Sequence, residues 1–123
     1  MLAALPTASA FAFDPNGAWA TDAQLCSKVF NKKGKDITFS KLSDVYGSGL
    51  IINGDRIRGK MARCTIKARK EEGGDTLHLL ANCATDVMLQ SVQFSVKVLN
   101  DNSFTRIFPG ISGMEVNYYR CNL

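Results

Sequence analysis

The chain is predicted to be a mainly β protein: an antiparallel meander of about eight strands forming a small closed or partly open barrel, with one short N-terminal helix and two disulfides. Three observations carry that expectation. From about residue 36 onwards apolar and polar residues alternate with the period of two that marks half-buried strands. Turn residues at Asn53-Gly54, Gly73-Gly74, Asn100-Asp101-Asn102 and Pro109-Gly110 break the alternation at intervals too short for parallel crossovers. Four cysteines, at 26, 64, 83 and 121, form an even set in a chain of 123 residues.

Taken in order, residues 1–12 carry no charge and contain two Ala-X-Ala sites, Ala8-Ser9-Ala10 and Ala10-Phe11-Ala12. They read as a signal-peptide remnant, which leaves 13–123 as a single β-barrel-like domain and a periplasmic or secreted location. No later stretch reaches the roughly 18 apolar residues of a membrane-spanning helix, so no transmembrane segment is expected. Gly17-Ala18-Trp19-Ala20 supplies a first strand. Thr21 stands three residues before Gln24 in a capping-box pattern, and Leu25, Cys26, Val29 and Phe30 recur at helical spacing, so a helix is expected over about 22–30, ending at the lysines around Gly34. Strands are expected at about 36–41, 44–52, 55–70, 75–84, 91–99, 103–108 and 114–121. The alternation of Val92, Phe94, Val96 and Val98 with Gln93, Ser95 and Lys97 is the clearest of them. Asn53-Gly54 reads as a type I′ hairpin turn, and Gly73-Gly74 as a second two-residue turn. An apolar share of 46% suffices for a core at this length, so the disulfides reinforce the fold rather than substitute for one.

Four cysteines allow three pairings. If Gly73-Gly74 is a two-residue turn, Glu72 faces Asp75 and, further along the same ladder, Cys64 faces Cys83 in a hydrogen-bonded pair with Cα atoms about 5.5 Å apart. Cys26 is then left for Cys121. Chain entropy assigns the two loops roughly 3 and roughly 4–5 kcal/mol respectively. No two cysteines have the close spacing of a zinc knuckle or of a redox Cys-X-X-Cys, so the four are read as structural, with no metal and no cofactor expected.

Gly17-Ala18-Trp19 near the start and Tyr119-Arg120-Cys121 near the end resemble the end motifs of lipocalin-like barrels. The resemblance implies that Trp19 and Arg120 close the barrel floor, the arginine packing across the indole. A Cys26–Cys121 bridge would tie those same two regions together. Small secreted bacterial proteins of lipocalin-like or half-barrel form are the nearest description, because the chain is short for a lipocalin and Thr85-Asp86-Val87 is a faint counterpart of their second motif. A single tryptophan argues against an avidin-type biotin cage.

No nucleophile elbow, phosphate-binding glycine loop or histidine-rich motif occurs, and the one histidine, His78, lies in an apolar strand with no acid near it in sequence. An enzyme is therefore not expected. The strongest candidate for a binding surface is the basic run Arg56, Arg58, Lys60, Arg63, Lys67, Arg69 and Lys70, which only Asp55 offsets within 55–70. Its parity admits two readings. A bulge near Gly59 to Met61 would gather the cations on one outer stripe, whereas without it the run is an ordinary solvated strand. A net charge of +4 favours acidic partners, and export together with the lack of interleaved aromatic residues argues against nucleic acid. The expectation is an exported, disulfide-stabilised binding module for a small apolar ligand or for an anionic envelope component, whether lipid, polysaccharide or acidic protein. The alternative is a protein-interaction or inhibitor protein of the cell envelope acting through loops at about 100–103 and 109–113.

Overall fold

Strand β1 (Gly17–Ala20) is the seam of the molecule, pairing on one side with β10 (Glu115–Arg120) and on the other with β4 (Gly49–Asn53). Between these lie β5 (Arg56–Arg58), β6 (Arg63–Glu72), β7 (Thr76–Ala84), β8 (Leu89–Asn100) and β9 (Ser103–Ile107), and the ring closes in the order β1-β10-β9-β8-β7-β6-β5-β4. The protein is thus a closed, eight-stranded antiparallel barrel, in which each barrel strand is paired on both sides. The computed structural model describes residues 13–108 and 113–123. The expected signal remnant and the Pro109-Gly110 turn lie outside them.

The number of strands matches the expectation, but two of its members differ. The run expected as one strand over 55–70 is a hairpin, in which the Gly59 N–H donates to the Ala62 carbonyl and Arg58 faces Arg63. The segment expected at 36–41 does not join the barrel. It forms β3 (Asp36–Phe39), which pairs only with β2 (Phe30–Lys33) in a separate two-stranded sheet. The helix is correspondingly short: a 3₁₀ turn over Ala23–Leu25 leads into α1 (Cys26–Val29), and Phe30 already belongs to β2. Its cap is Asp22, whose Oδ1 accepts from the Gln24 N–H at 2.9 Å. Thr21 instead accepts from the Ser48 N–H at 3.2 Å, fastening the entrance of β4.

Both short turns are shifted from their expected form. Asn53 pairs with Arg56, so the loop residues are Gly54 and Asp55; only the glycine has positive φ, at +62°, which fits a II′ rather than a I′ turn. Glu72 pairs with Thr76, which makes Gly73-Gly74-Asp75 a three-residue loop. That extra residue would push Cys64 past Cys83, but a bulge at Lys67, between Ile66 and Ala68, absorbs it. The two deviations cancel, and Cys64 faces Cys83 as expected. Their Cα atoms are 4.0 Å apart, closer to the spacing of a non-hydrogen-bonded pair than to the 5.5 Å expectation. The second disulfide joins Cys26 to Cys121.

Two apolar cores result. The barrel interior is filled by side chains that include Phe13, Trp19, Ile57, Leu77, Phe94, Phe104 and Tyr118, with the Trp19 and Phe104 rings 4.7 Å apart. A second cluster on the outside of β1 and β4 buries Ala18, Ala20 and Ile51 beneath Cys26, Val29, Phe30 and Cys121. Gly49 makes this second layer possible. A Cβ there would lie 2.7 Å from the Phe30 ring and 3.1 Å from the Trp19 carbonyl oxygen.

Candidate functional site

Meander connectivity sends alternate turns to opposite ends of the barrel. At one end, Arg120 packs across Trp19. Its guanidinium lies 4.3 Å over the Trp19 ring and donates to the carbonyls of Asp14 (2.7 Å), Asn16 (2.6 Å) and Asp101 (2.8 and 3.2 Å). Trp19 Nε1 donates to the Pro15 carbonyl at 2.8 Å. Gly17 takes φ +134° beneath Arg120, where a Cβ would sit 3.1 Å from Nη1. These residues lock three chain segments together and are committed to structure. The turn at Asn100–Asn102, one of the loops expected to engage a partner, is tied down by the same contacts. The other loop, 109–113, is described only at Gly113.

The basic run separates into three groups. Arg56 and Arg58 on β5 lie opposite Thr65 and Arg63 on β6, which in turn face Asn82 and Ala84 on β7 and, beyond these, Ser91 and Leu89 on β8. Because the intervening Ile57, Cys64 and Cys83 are buried in the barrel core, these two cross-strand rows face outwards. They line a groove of about 650 Å³ that also takes in Cys64, Cys83 and Gln90, with the Cys64–Cys83 bridge on the core side of the sheet behind it. Among its lining residues there are three guanidinium groups and no carboxylate. Arg58 is oriented from behind by donating to the Ile37 carbonyl at 3.0 Å, which turns the β2–β3 sheet into a brace for the groove.

Lys60 leaves the run. Its Nζ lies 2.6 Å from Asp44 Oδ1 and donates to the Lys41 carbonyl at 3.1 Å, and this ammonium holds the Asp44 carboxyl below its ordinary value of 3.8. Lys67 is exposed at the bulge, and Arg69 is paired with Glu71 at 3.3 Å. The single cationic stripe that a bulge at 59–61 would create is therefore not formed. A tight turn stands at that position and the bulge falls at Lys67, so cations expected along one strand are divided between two facing strands and the turn that joins them.

His78 has closer company than its neighbours in sequence indicate. Nδ1 lies 2.8 Å from Ser95 Oγ on β8, and Nε2 lies 3.6 Å from Glu72 Oε1 across the β6–β7 loop. Ser95 Oγ also accepts from Gln93 Nε2 at 3.0 Å. The order of groups is that of a serine hydrolase triad, but Ser95 is buried in mid-strand with its neighbours β7 and β9 on both sides. Its backbone belongs to the ladder, which leaves the surroundings poorly suited to an oxyanion hole. Asn82, Gln90 and Ser91, which complete the arginine groove, and Glu72 and Ser95, which flank His78, escape a one-dimensional reading. Only the cross-strand register brings them to their partners. No protein-family model, curated protein or solved structure matches the chain.

Proposed function

We propose that this protein is an exported, disulfide-stabilised binding module and that its ligand is an anion held in the groove spanning β5 to β8. One observation carries the reading: Arg56, Arg58 and Arg63 converge on a groove that contains no carboxylate among its lining residues. Guanidinium groups bind phosphate and carboxylate oxygens through paired, charge-assisted hydrogen bonds, and Asn82, Gln90 and Ser91 add neutral donors beside them. The volume falls within the few hundred to about a thousand Å³ of typical ligand sites. The Cys64–Cys83 bridge, which ties β6 to β7 behind the groove, and the Arg58–Ile37 contact hold the site in shape before the ligand arrives.

The barrel interior is occupied by its own aromatic side chains, which favours the outer groove over an interior apolar site. Buried Ser95, lacking free backbone donors beside it, favours binding over hydrolysis. Two disulfides fit an oxidising compartment outside the cytosol. Calorimetry with inorganic tripolyphosphate tests the assignment. Arg56→Ala and Arg63→Ala are each expected to weaken binding about tenfold or more, the worth of a charge-assisted hydrogen bond. Absence of binding, or binding that both variants leave unchanged, refutes the site.

A further inference from the structure

The turns at the barrel end opposite Arg120 have an unusual composition. Three neighbouring segments each present large apolar side chains to solvent: Leu42 and Val45 before β4, Met61 between β5 and β6, and Val87 and Met88 between β7 and β8. Met61 is 74% exposed and Val87 88%. The segments are contiguous. Lys60 binds both Asp44 and the Lys41 carbonyl, which sets the first against the second, and a groove of about 290 Å³ between Met61-Ala62 and Thr85-Asp86 joins the second to the third. Isolated exposed apolar residues are ordinary, but a group of them drawn from three adjacent turns marks an interaction surface.

The charge around these tips identifies what covers them. The arginine groove opens beside them, with Leu89, 83% exposed, as part of its wall. Of the acidic groups at this end, Asp44 is neutralised by Lys60, Asp86 faces Arg58, Lys60 and Arg63 across the smaller groove, Asp22 caps the turn after β1, and Glu115 stands apart at the start of β10. The opposite end carries Asp55, Asp75 and Asp101 in its three turns, beside Asp14. One end thus gathers exposed apolar tips beside the guanidinium groups of the groove, whereas the turns of the other carry these aspartates and its arginine, Arg120, is committed to carbonyls. This is the pattern of a protein that seats its tips at the headgroup level of a bilayer while cations meet anionic lipid.

We infer that the protein docks on anionic lipid surfaces with this end, inserting Met61, Val87 and Met88 at the interface and placing Arg56 and Arg63 against the headgroup phosphates. The inference rests on the anion-binding reading of the groove and specifies its ligand. Flotation of the oxidised protein with vesicles of phosphatidylglycerol mixed with phosphatidylcholine, against phosphatidylcholine alone, tests it beside the tripolyphosphate titration. Partition into the anionic vesicles only is expected, falling about fivefold for each of Arg56→Ala and Arg63→Ala. The double variant Met61→Ser with Val87→Ser alters exposed positions outside the arginine groove. It is expected to lose about tenfold in vesicle binding and to retain tripolyphosphate binding. Tripolyphosphate binding without vesicle binding, equal partition into both vesicle types, or a serine variant that floats like the parent overturns the docking and leaves the groove assignment standing. Failure of both ligands overturns both readings.

Discussion

At the scale of single residues, Arg120 concentrates more of the fold in one side chain than any other position described above. Its guanidinium covers Trp19 and bridges carbonyls from Asp14, Asn16 and Asp101, segments that share no strand pairing with one another. Arg120→Ala leaves those carbonyls without their charged donor and uncovers the indole, for an expected loss of about 2 kcal/mol. Arg120→Lys is expected to recover less than half of this, because an ammonium cannot span three acceptors from one plane. Urea unfolding followed by Trp19 fluorescence measures both, and a lysine variant as stable as the parent would show that charge alone is needed. The sequence offers Trp19 and Arg120 as a pair only through a resemblance, and their contact is seen in the structure. The acceptors were not legible in the sequence, since backbone carbonyls leave no mark there.

At the scale of elements, the β6–β7 hairpin shows how a correct pairing follows from a register that differs from the expected one. The loop has three residues rather than two, and the bulge at Lys67 compensates, so Cys64 meets Cys83. A one-residue slip moves every side chain to the opposite face of the sheet, which gives this compensation a testable form. Deleting Lys67 removes the extra residue itself and is expected to keep Cys64 opposite Cys83, whereas deleting Leu80, a paired residue of β7, slips the ladder by one and is expected to abolish the bridge. Peptide mapping under non-reducing conditions reads the outcome. Loss of the bridge on deleting Lys67, or its survival on deleting Leu80, would show that the bulge does not set the register. The β5–β6 hairpin carries the complementary lesson. Arg56 to Lys60 and Arg63 to Arg69 have the composition of one long strand, and only the Gly59-to-Ala62 closure folds them into two, bringing Arg58 opposite Arg63.

At the scale of the whole molecule, the two disulfides have different tasks. Cys64–Cys83 lies within one hairpin and ties β6 to β7 behind the groove, while Cys26–Cys121 spans 95 residues and pins the α1 layer and the C-terminal segment to the outside of the seam strand. Replacing Cys26 and Cys121 together with alanine is expected to lower stability by about 4–5 kcal/mol, against about 3 kcal/mol for the shorter bridge. Denaturant midpoints of the two double variants provide the comparison, and an inverted order would mean that native-state packing outweighs loop entropy. Neither replacement touches the three arginines, so any residual anion binding by the variant lacking Cys26 and Cys121 reports directly on a groove built from β5 to β8.

By itself the sequence determined the class of the protein, the positions of most strands and the partners of its cysteines. These depend on local quantities: a period of two, turn residues, and the parity that places two cysteines on one face. The tertiary structure decided which strands close the ring, why β3 lies outside it, which cations share a groove and which side chains flank His78. Those outcomes depend on register and closure, where one bulge or one extra loop residue changes which side chains meet, and no local preference encodes the sum of such shifts around a barrel.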